Sequence, residues 1–385
     1  MIRSTVARVD LAALQSNFRA IQQFLSPSHR APSNLAPRMP AVTAVVKANA
    51  YGHGAERVAL ALEQAGATML ACADIEEGIV LRRAGVSVPI LVFGAMSVSD
   101  LDGLFEFSLT PTISTPSAAR AVQAAAASHK TSVGYHLKID TGMNRLGFRY
   151  DNVRRTLPEV LGSSNLRIEA IYTHFATADD PGQALFNEQR VRFEQAAQAL
   201  RELGAPKHVP RHASNSAAML RDSRVWYDIV RPGLLLYGIV PSPLASTISL
   251  RPVMSLTSRV VAVKGLRPGE AVGYGSRFRA DAPATIAVVP AGYADGLDLR
   301  IGQRGQVLIR GRRVPLVGAV SMDMITVDVT GLDAVEPGDE VVLIGRQGPE
   351  AWQQIDVREM AAAIGTIPYE IVCRIGARIE RRYDP

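Results

Sequence analysis

The chain has 385 residues, of which 47% are hydrophobic and 20% charged, a composition typical of a folded globular protein rather than a disordered one. Its formal charge of +6 comes from basic residues scattered along the chain, whereas nucleic-acid binding requires a denser basic stripe with interleaved aromatic residues. The two cysteines, Cys72 and Cys373, lie in apolar segments, so we predict two buried free thiols in a reducing compartment and no disulfide.

Several further classes of protein are disfavoured by sequence pattern. No apolar run approaches the ~18 residues that a membrane helix requires, and the N-terminal residues lack the pattern of a signal peptide. No two of the seven histidines fall at i, i+4 beside a carboxylate, and none lies near a cysteine pair, so no metal site is predicted. We therefore expect a cytoplasmic protein that binds neither a membrane nor nucleic acid.

The first predicted element is a helix that begins after Asp10, whose side chain can cap it. Its apolar residues recur every three or four positions, which predicts one buried face; they are Leu11, Leu14, Phe18, Ile21 and Leu25. The proline-rich stretch at residues 26–40 is predicted to be an exposed loop.

From residue 41 to residue 237, short β-branched runs alternate with longer helical patterns, as in parallel βαβ units. Helical segments lie between them, with Gly66 placed as a C-terminal cap and Pro116 in a first turn. There are eight strand-like runs, at residues 41–46, 68–72, 89–93, 109–113, 134–140, 167–175, 208–213 and 226–230. Eight is the count of a TIM-type (β/α)8 barrel, whereas doubly wound sheets more often have five to seven strands.

After residues 241–247 the pattern changes to short strands separated by Gly, Pro and Asp turns, with one helix near residues 357–363. We predict an α/β protein in which a barrel domain at residues 1–245 is followed by a C-terminal β-rich domain at residues 246–385. A second domain of this size can hold its own core.

Polar residues follow the predicted barrel strands, and in such barrels the carboxyl ends of the strands form the active site. Each residue alone has an ordinary explanation, such as a solvated lysine or a helix cap. A cluster of charged groups at one end of the barrel is harder to explain by packing, because burying a charge is costly unless it is paired with an opposite charge or serves a function. The residues are Lys47, Lys138, Asp140, His174, Asn215, Ser216, Arg231 and Gly233.

The loops after strands seven and eight are where barrels usually bind a phosphate. Ser216 offers a hydroxyl at a helix start, and Gly233 lets backbone amides approach an anion. Lys47 ends an apolar strand, where desolvation favours a neutral, nucleophilic amine. A phosphate site opposite such a lysine predicts pyridoxal phosphate as cofactor.

Eight short motifs occur in this order between residues 42 and 323: AVVKANAYGHG, LKIDTGMNRLGF, THFATAD, HASNSAA, RPGLLLYG, VGYGSRF, GYADG and SMD. The stretch YEIVCRIGAR follows near the C-terminus. With these motifs the sequence resembles the alanine racemase family. The resemblance implies a fold-type III, pyridoxal phosphate-dependent isomerase. Such an enzyme interconverts L-alanine and D-alanine through a cofactor aldimine and supplies D-alanine for peptidoglycan.

The resemblance also implies two catalytic bases on opposite faces of the substrate, because racemisation removes a proton from one side and delivers one to the other. Lys47 binds the cofactor and serves one face, and Tyr274 of a second subunit serves the other, which implies a homodimer with shared active sites. A tyrosine with a reference pKa near ~10 needs assistance to act as a base, which His174 and Arg231 are expected to provide.

The remaining roles implied by the resemblance concern cofactor, substrate and entrance. Arg231 faces the pyridine nitrogen, Arg145 binds the substrate carboxylate, and Lys138 stands at a position that is carbamylated in many relatives. The other assigned residues are Tyr51, His174, Asn215, Ser216, Gly233 and Leu234 at the cofactor, Met322 and Asp323 at the substrate, and Tyr293 at the entrance.

Two positions depart from the family pattern: Ala377 replaces a tyrosine that touches the phosphate, and Met324 replaces a glutamine after SMD. Rival interpretations are a broad-specificity amino-acid racemase, a fold-type III decarboxylase, and a non-catalytic carrier of pyridoxal phosphate. Arg231 and the VGYG motif disfavour the decarboxylase, and the second domain disfavours the carrier. A barrel that binds no pyridoxal phosphate is the remaining alternative.

Overall fold

The structure, a computed structural model, describes residues 4–26, 39–96, 98, 100–348 and 353–385. Its strands are β1 (Val6–Asp10), β2 (Ala41–Val45), β3 (Met69–Cys72), β4 (Ile90–Val92), β5 (Thr110–Ile113), β6 (Val133–Asp140), β7 (Phe148–Arg149), β8 (Leu166–Tyr172), β9 (Arg211–His212), β10 (Ile229–Val230), β11 (Met254–Arg259), β12 (Ala262–Leu266), β13 (Ala271–Val272), β14 (Phe278–Arg279), β15 (Ala284–Val289), β16 (Gln306–Ile309), β17 (Arg312–Val317), β18 (Ile325–Asp328), β19 (Glu340–Gln347), β20 (Gln353–Ile355) and β21 (Glu380–Asp384).

Helices cover the barrel and close the C-terminal region. They are α1 (Leu11–Phe24), α2 (Ala55–Gln64), α3 (Ile75–Arg83), α4 (Asp102–Glu106), α5 (Pro116–Ser128), α6 (Val153–Leu161), α7 (Leu185–Glu202), α8 (Ser216–Arg221), α9 (Val357–Ile364) and α10 (Pro368–Cys373). Within the described ranges, no helix is both long enough and apolar enough to cross a membrane.

Eight parallel strands close into the predicted barrel, in the order β2, β3, β4, β5, β6, β8, β9, β10 and back to β2. The pairing of Ile229 in β10 with Ala41 in β2 and of Thr112 in β5 with His136 in β6 completes the ring. The prediction of a TIM-type barrel followed by a β-rich region is therefore confirmed. Strands seven and eight are shorter than predicted, each forming only two paired residues.

Helix α1 forms for the reasons read from the sequence. Asp10 accepts a hydrogen bond from the Ala13 amide at 2.6 Å, which caps the helix, and Leu14, Phe18 and Ile21 are fully buried. Residues 27–38 of the proline-rich loop predicted to follow lie outside the described part of the chain.

The second sheet has ten strands, in the order β12, β15, β18, β17, β16, β19, β11, β1, β21, with β20 paired to β19. Strand β1, which precedes the barrel, was not predicted. It pairs antiparallel with β11 and parallel with β21, so Val6 lies between Thr257 and Glu380. Both described ends of the chain thus lie in the β-rich region, while the division at residue 245 stays a prediction.

The two cysteines differ in exposure. Cys72 in β3 is buried, as predicted, but Cys373 is exposed, so the prediction of a second buried thiol is wrong. Cys373 ends α10, where the neighbouring Ile371 and Val372 face the core and turn the thiol outward. An apolar stretch in a short helix has one buried side only, and sequence alone did not show which residue would face out.

Candidate active site

The mouth of the barrel gathers cationic side chains from several strand ends. Lys47 follows β2, Lys138 lies in β6, and Arg231 follows β10; each lies within electrostatic reach of the other two. Arg145, in the loop after β6, adds a fourth positive charge to this group. Such a concentration of positive charge favours an anionic ligand.

Lys47 is half-buried at the start of the β2–α2 loop. Burial lowers its pKa, and the nearby Arg145 lowers it further, whereas Glu77 acts in the opposite direction. Because the charged ammonium form is disfavoured, the neutral amine that acts as nucleophile or base is more accessible than for a solvated lysine. This environment matches the prediction from the apolar strand preceding Lys47.

The backbone after Lys47 follows an unexpected path. Ala48, Asn49, Ala50 and Tyr51 all have φ between 52° and 54°, so they form one turn of left-handed helix. For residues with a side chain this conformation costs about 1–2 kcal/mol each, so the surrounding contacts must hold it. Glu77 does so from α3: its carboxylate accepts the Ala48 amide at 2.6 Å and the Ala73 amide at 2.7 Å.

Lys138 is almost completely buried, and burial together with Arg145 and Arg231 lowers its pKa to about 8. Its ammonium nitrogen lies 5.5 Å from the centre of the Tyr172 ring, and the Arg231 guanidinium lies 5.2 Å from the same ring. Both cations therefore lie near the Tyr172 ring, whose π-electrons offset part of the repulsion between them.

Arg231 is 3% exposed and is held by neutral acceptors. It donates to the carbonyls of Thr173 at 2.9 Å and Ala213 at 3.1 Å and to Nδ1 of His212 at 2.8 Å. Burial lowers its pKa to about 10, so it remains cationic at neutral pH. His174 lies 3.5 Å from the same guanidinium, and burial and Arg231 depress the pKa of its imidazole.

The hydrogen bonds of Arg231 fix the protonation of two further histidines. Because His212 Nδ1 accepts from the arginine, its Nε2 must carry the proton and donate to Nδ1 of His136 at 3.0 Å. Burial lowers the pKa of His136 to about 4 and holds that of His212 well below its usual range, so both rings are neutral. Sequence analysis missed both, since histidines inside short barrel strands carry no distinguishing spacing.

The predicted phosphate loops meet at Ser216. Its hydroxyl oxygen accepts the backbone amide of Gly233 at 2.9 Å and that of Leu235 at 3.4 Å, which ties the loop after β9 to the loop after β10. Asn215 caps α8 by accepting the Ala218 amide at 2.9 Å, and Leu234 is fully buried behind the loop.

Tyr51 reaches these loops from the left-handed turn. A Cβ atom on Gly233 would lie 2.4 Å from the Tyr51 hydroxyl, so only glycine allows this approach. The Tyr51 ring is also 5.8 Å from the ring of Tyr369 in α10, a residue that sequence analysis missed. Ala377, where the family has a tyrosine, is exposed.

The residues predicted from the β-rich region form a separate group. The Tyr293 amide donates to Ser321 at 3.0 Å, and Arg378 pairs with Asp323 at 2.7 Å and with Asp295 at 2.8 Å. Tyr274 is 76% exposed and Met322 is 52% exposed.

The geometry thus brings Lys47, Tyr51, Lys138, His174, Ser216, Arg231 and Gly233 into one barrel mouth but leaves Tyr274, Tyr293, Met322 and Asp323 on the β-rich region. Among the described residues, no group of three or more His, Cys, Asp or Glu side chains could hold a metal ion.

Comparison with known proteins relates this arrangement to one family. The alanine racemase N-terminal domain model matches residues 9–241, and the alanine racemase C-terminal domain model matches residues 253–383. The alanine racemase of Halothermothrix orenii is 40% identical over 99% of this chain and 97% of its own length. That of Nostoc sp. is 39% identical over 97% and 94%, respectively.

Solved structures agree with the sequence relatives. Alanine racemase from Streptomyces lavendulae superposes with a TM-score of 0.91 at 32% identity, over 100% of this chain and 98% of its own. The Bacillus anthracis enzyme, solved with bound L-Ala-P, gives a TM-score of 0.87 at 34% identity, over 100% and 96%. The Bartonella henselae enzyme, with covalently bound pyridoxal phosphate, gives 0.84 at 28% identity, over 99% of each chain. The chain therefore belongs to the alanine racemase family and is an isomerase of that family.

Proposed function

We propose that this enzyme interconverts L-alanine and D-alanine with pyridoxal phosphate as cofactor, and that it supplies D-alanine for peptidoglycan. The observation that carries the proposal is Lys47, a lysine of lowered pKa that shares one barrel mouth with Arg231, beside the joined Ser216 and Gly233 loops. The names of its relatives support alanine as substrate.

The residues present fit the proposed cofactor. The loop at Gly233 has no side chain to block an anion, and a Cβ there would fill the space beside the Tyr51 hydroxyl. We assign the phosphate to Tyr51, Asn215, Ser216, Gly233 and Leu234, the covalent bond to Lys47, and the ring nitrogen to Arg231 with His174 beside it. When bound, the cofactor would withdraw electrons from the substrate Cα–H bond, which makes that proton removable.

Two proton carriers are proposed for the two faces of the substrate. Lys47 removes or returns the proton on one face through its amine, whose neutral form is favoured by burial. The partner's Tyr274 serves the opposite face through its hydroxyl. Arg231 stays cationic at neutral pH because its pKa, although lowered by burial, is still about 10, so it does not release a proton to the ring nitrogen as a carboxylic acid would.

Arg145 is proposed to bind the substrate carboxylate, and Lys138 to be carbamylated. With a pKa of about 8, Lys138 keeps an appreciable neutral fraction near neutral pH; its nitrogen can attack the carbon of CO₂ and lose a proton to give a carbamate anion. Arg145 and Arg231 would stabilise the negative charge. Mass spectrometry under bicarbonate tests this, and an unmodified Lys138 in the fully active enzyme would refute it.

A homodimer with shared active sites is proposed from the β-rich region. Tyr274, Met322, Met324 and Tyr293 are 76%, 52%, 46% and 43% exposed, and contact with a second subunit would remove their apolar area from water. A second subunit that covers this surface would bring Tyr274, and with it Tyr293, Met322 and Asp323, to the partner's barrel mouth. Light scattering of the purified enzyme tests the stoichiometry. The cytoplasmic location stays a prediction.

The proposal is tested by absorbance and by initial rates. The purified enzyme should carry the visible absorbance band of lysine-bound pyridoxal phosphate, and Lys47→Ala should abolish it. Among L-alanine, L-serine, L-lysine and L-arginine, we expect the highest initial rate with L-alanine, because the relatives are named as alanine racemases. Comparable rates for lysine or arginine would support that alternative instead.

A further inference from the structure

His53 lies beneath the left-handed turn and is not among the residues assigned to the site. Its side chain is fully buried, and its Nδ1 atom lies 2.9 Å from the Tyr51 carbonyl oxygen and 3.1 Å from the Ala50 carbonyl oxygen. These carbonyls belong to the last two non-glycine residues of the left-handed turn that begins after Lys47.

The tautomer of His53 follows from these contacts. A carbonyl oxygen only accepts, so Nδ1 must carry the proton and donate to both carbonyls. The remaining nitrogen, Nε2, has no proton and no hydrogen-bond partner among the described residues. Burial lowers the pKa of the ring to about 4, so the neutral tautomer persists at neutral pH.

The position of the ring is itself fixed by strand β2. The His53 ring packs 4.5 Å from the ring of Tyr237, whose hydroxyl donates to the Val45 carbonyl at 3.0 Å. Val45 is the last residue of β2, two positions before Lys47. The same imidazole is thus linked through Tyr237 to the end of β2 and hydrogen-bonded to the turn that follows this strand.

The turn needs such support because its backbone is strained. Four consecutive residues with side chains adopt positive φ, and Glu77 secures only the first of them, through the Ala48 amide. Without His53, the carbonyls of Ala50 and Tyr51 would lose a buried donor at the end of the turn that places the Tyr51 hydroxyl against Gly233.

We propose that His53 is a positioning residue for the cofactor site: by donating one proton to two carbonyls, it holds the left-handed turn that places Lys47 and Tyr51. This inference rests on the proposed roles of those two residues toward pyridoxal phosphate. Only the Nδ1 donor is required; Nε2 and the charge of the ring play no part.

Two amide variants separate this role from general packing. In His53→Asn the amide nitrogen stands where Nδ1 stands, whereas in His53→Gln it stands near Nε2. We expect His53→Asn to bind pyridoxal phosphate within about twofold of the natural protein, and His53→Gln to bind it about tenfold more weakly, as expected for one lost buried donor. Fluorescence titration of the apoprotein with pyridoxal phosphate measures both affinities.

A second readout uses the apoprotein alone. Hydrogen exchange followed by mass spectrometry should be faster at residues 48–54 in His53→Gln than in His53→Asn or the natural protein. The control is Thr5→Val, which removes a buried hydroxyl donor to the Pro290 carbonyl, at 2.6 Å in the second sheet, and should leave exchange at residues 48–54 unchanged.

The outcomes are distinct. Equal affinity and equal exchange in His53→Asn and His53→Gln would overturn the inference, as would faster exchange at residues 48–54 in Thr5→Val. If the natural protein bound no pyridoxal phosphate, the proposed cofactor would be wrong, whereas the exchange comparison in the apoprotein would still decide whether His53 holds the turn.

Discussion

The barrel mouth and the exposed surface of the β-rich region are built in opposite ways. In the barrel, Lys138 and Arg231 are 6% and 3% exposed and are surrounded by hydrogen-bonding or aromatic partners from neighbouring strands. On the β-rich region, Tyr274 is 76% exposed. Folding of one chain completes the first group, whereas the second presents large side chains that only another surface could cover.

This difference has an energetic reason. Burying a cation is costly, so the barrel retains its cations only where neutral acceptors and aromatic faces compensate for lost water, as for Arg231. An exposed tyrosine incurs no such cost in one chain, but its apolar area remains in contact with water. Half of the proposed site would then depend on folding and the other half on the proposed assembly.

The largest effect on activity is expected when the amine of Lys47 is removed. Lys47→Ala should reduce kcat/KM for alanine by about 10⁴-fold or more, because both the covalent attachment and one base disappear. Initial rates in both directions measure it. Lys207→Ala, which alters an exposed lysine in a loop, serves as the matched control and should keep the natural rate.

Removal of the exposed hydroxyl of the β-rich region should have the next largest effect. Tyr274→Phe should lower kcat by about 10²–10³-fold in both directions, since one face of the substrate loses its proton carrier. Unchanged rates starting from either enantiomer would show that the β-rich region contributes no base.

Mixing the two inactive variants tests directly whether assembly completes the site. After exchange of subunits between Lys47→Ala and Tyr274→Phe, half of the dimers are mixed, and each has one site with both natural residues. About a quarter of the natural activity should therefore return. If the mixture stayed inactive although mass spectrometry detected mixed dimers, each chain would supply its own tyrosine.

Acid should lower the free energy of unfolding, because buried histidines do not take up protons while the chain is folded. Burial lowers the pKa of His53 and His136 to about 4, so between pH 6.5 and 4 the unfolded chain binds protons that the folded chain does not. Stability then falls as pH decreases, by up to about 1.4 kcal/mol per pH unit for each such histidine.

Urea unfolding of the apoprotein across this pH range measures the effect. His208→Asn, which alters an exposed histidine, should leave the pH dependence of the free energy of unfolding unchanged. A free energy of unfolding that did not change between pH 6.5 and 4 would contradict the neutral buried histidines.

The smallest effect is expected at the junction of the phosphate loops. Ser216→Ala removes the acceptor for the amides of Gly233 and Leu235, which should weaken pyridoxal phosphate binding by about 1–2 kcal/mol. Titration of the apoprotein measures it. Ser128→Ala, at an exposed hydroxyl that bonds within its own helix, should have no effect, and an equal loss there would exclude a local role for Ser216.

Much of the barrel and its mouth could be predicted from the sequence because both depend on local pattern. Alternating strand and helix periods indicated eight parallel strands, and parallel strands bring their carboxyl ends to one rim, so Lys47, Lys138 and Arg231 were expected together. The predicted bounds failed most at the two shortest of the eight barrel strands, β9 and β10, where only two residues of each run are paired.

Contacts between distant segments could not be predicted in this way. Strand β1 precedes the barrel but pairs with β11 and β21, and nothing in residues 6–10 distinguishes one sheet from the other. His136 and His212 were missed because their role depends on facing Arg231 across neighbouring strands. Cys373 was placed wrongly because its exposure depends on which side of α10 packs inward.

The sequence by itself determined the architecture and the strand-end residues, because the period of apolar residues sets which segments become strands and helices. Only the tertiary structure decided how those residues are held: the left-handed turn after Lys47, the proton positions in the buried histidines, and the exposure of Tyr274 on the β-rich region. The physical reason is that strain, desolvation and hydrogen-bond partners arise from packing between segments far apart in the chain.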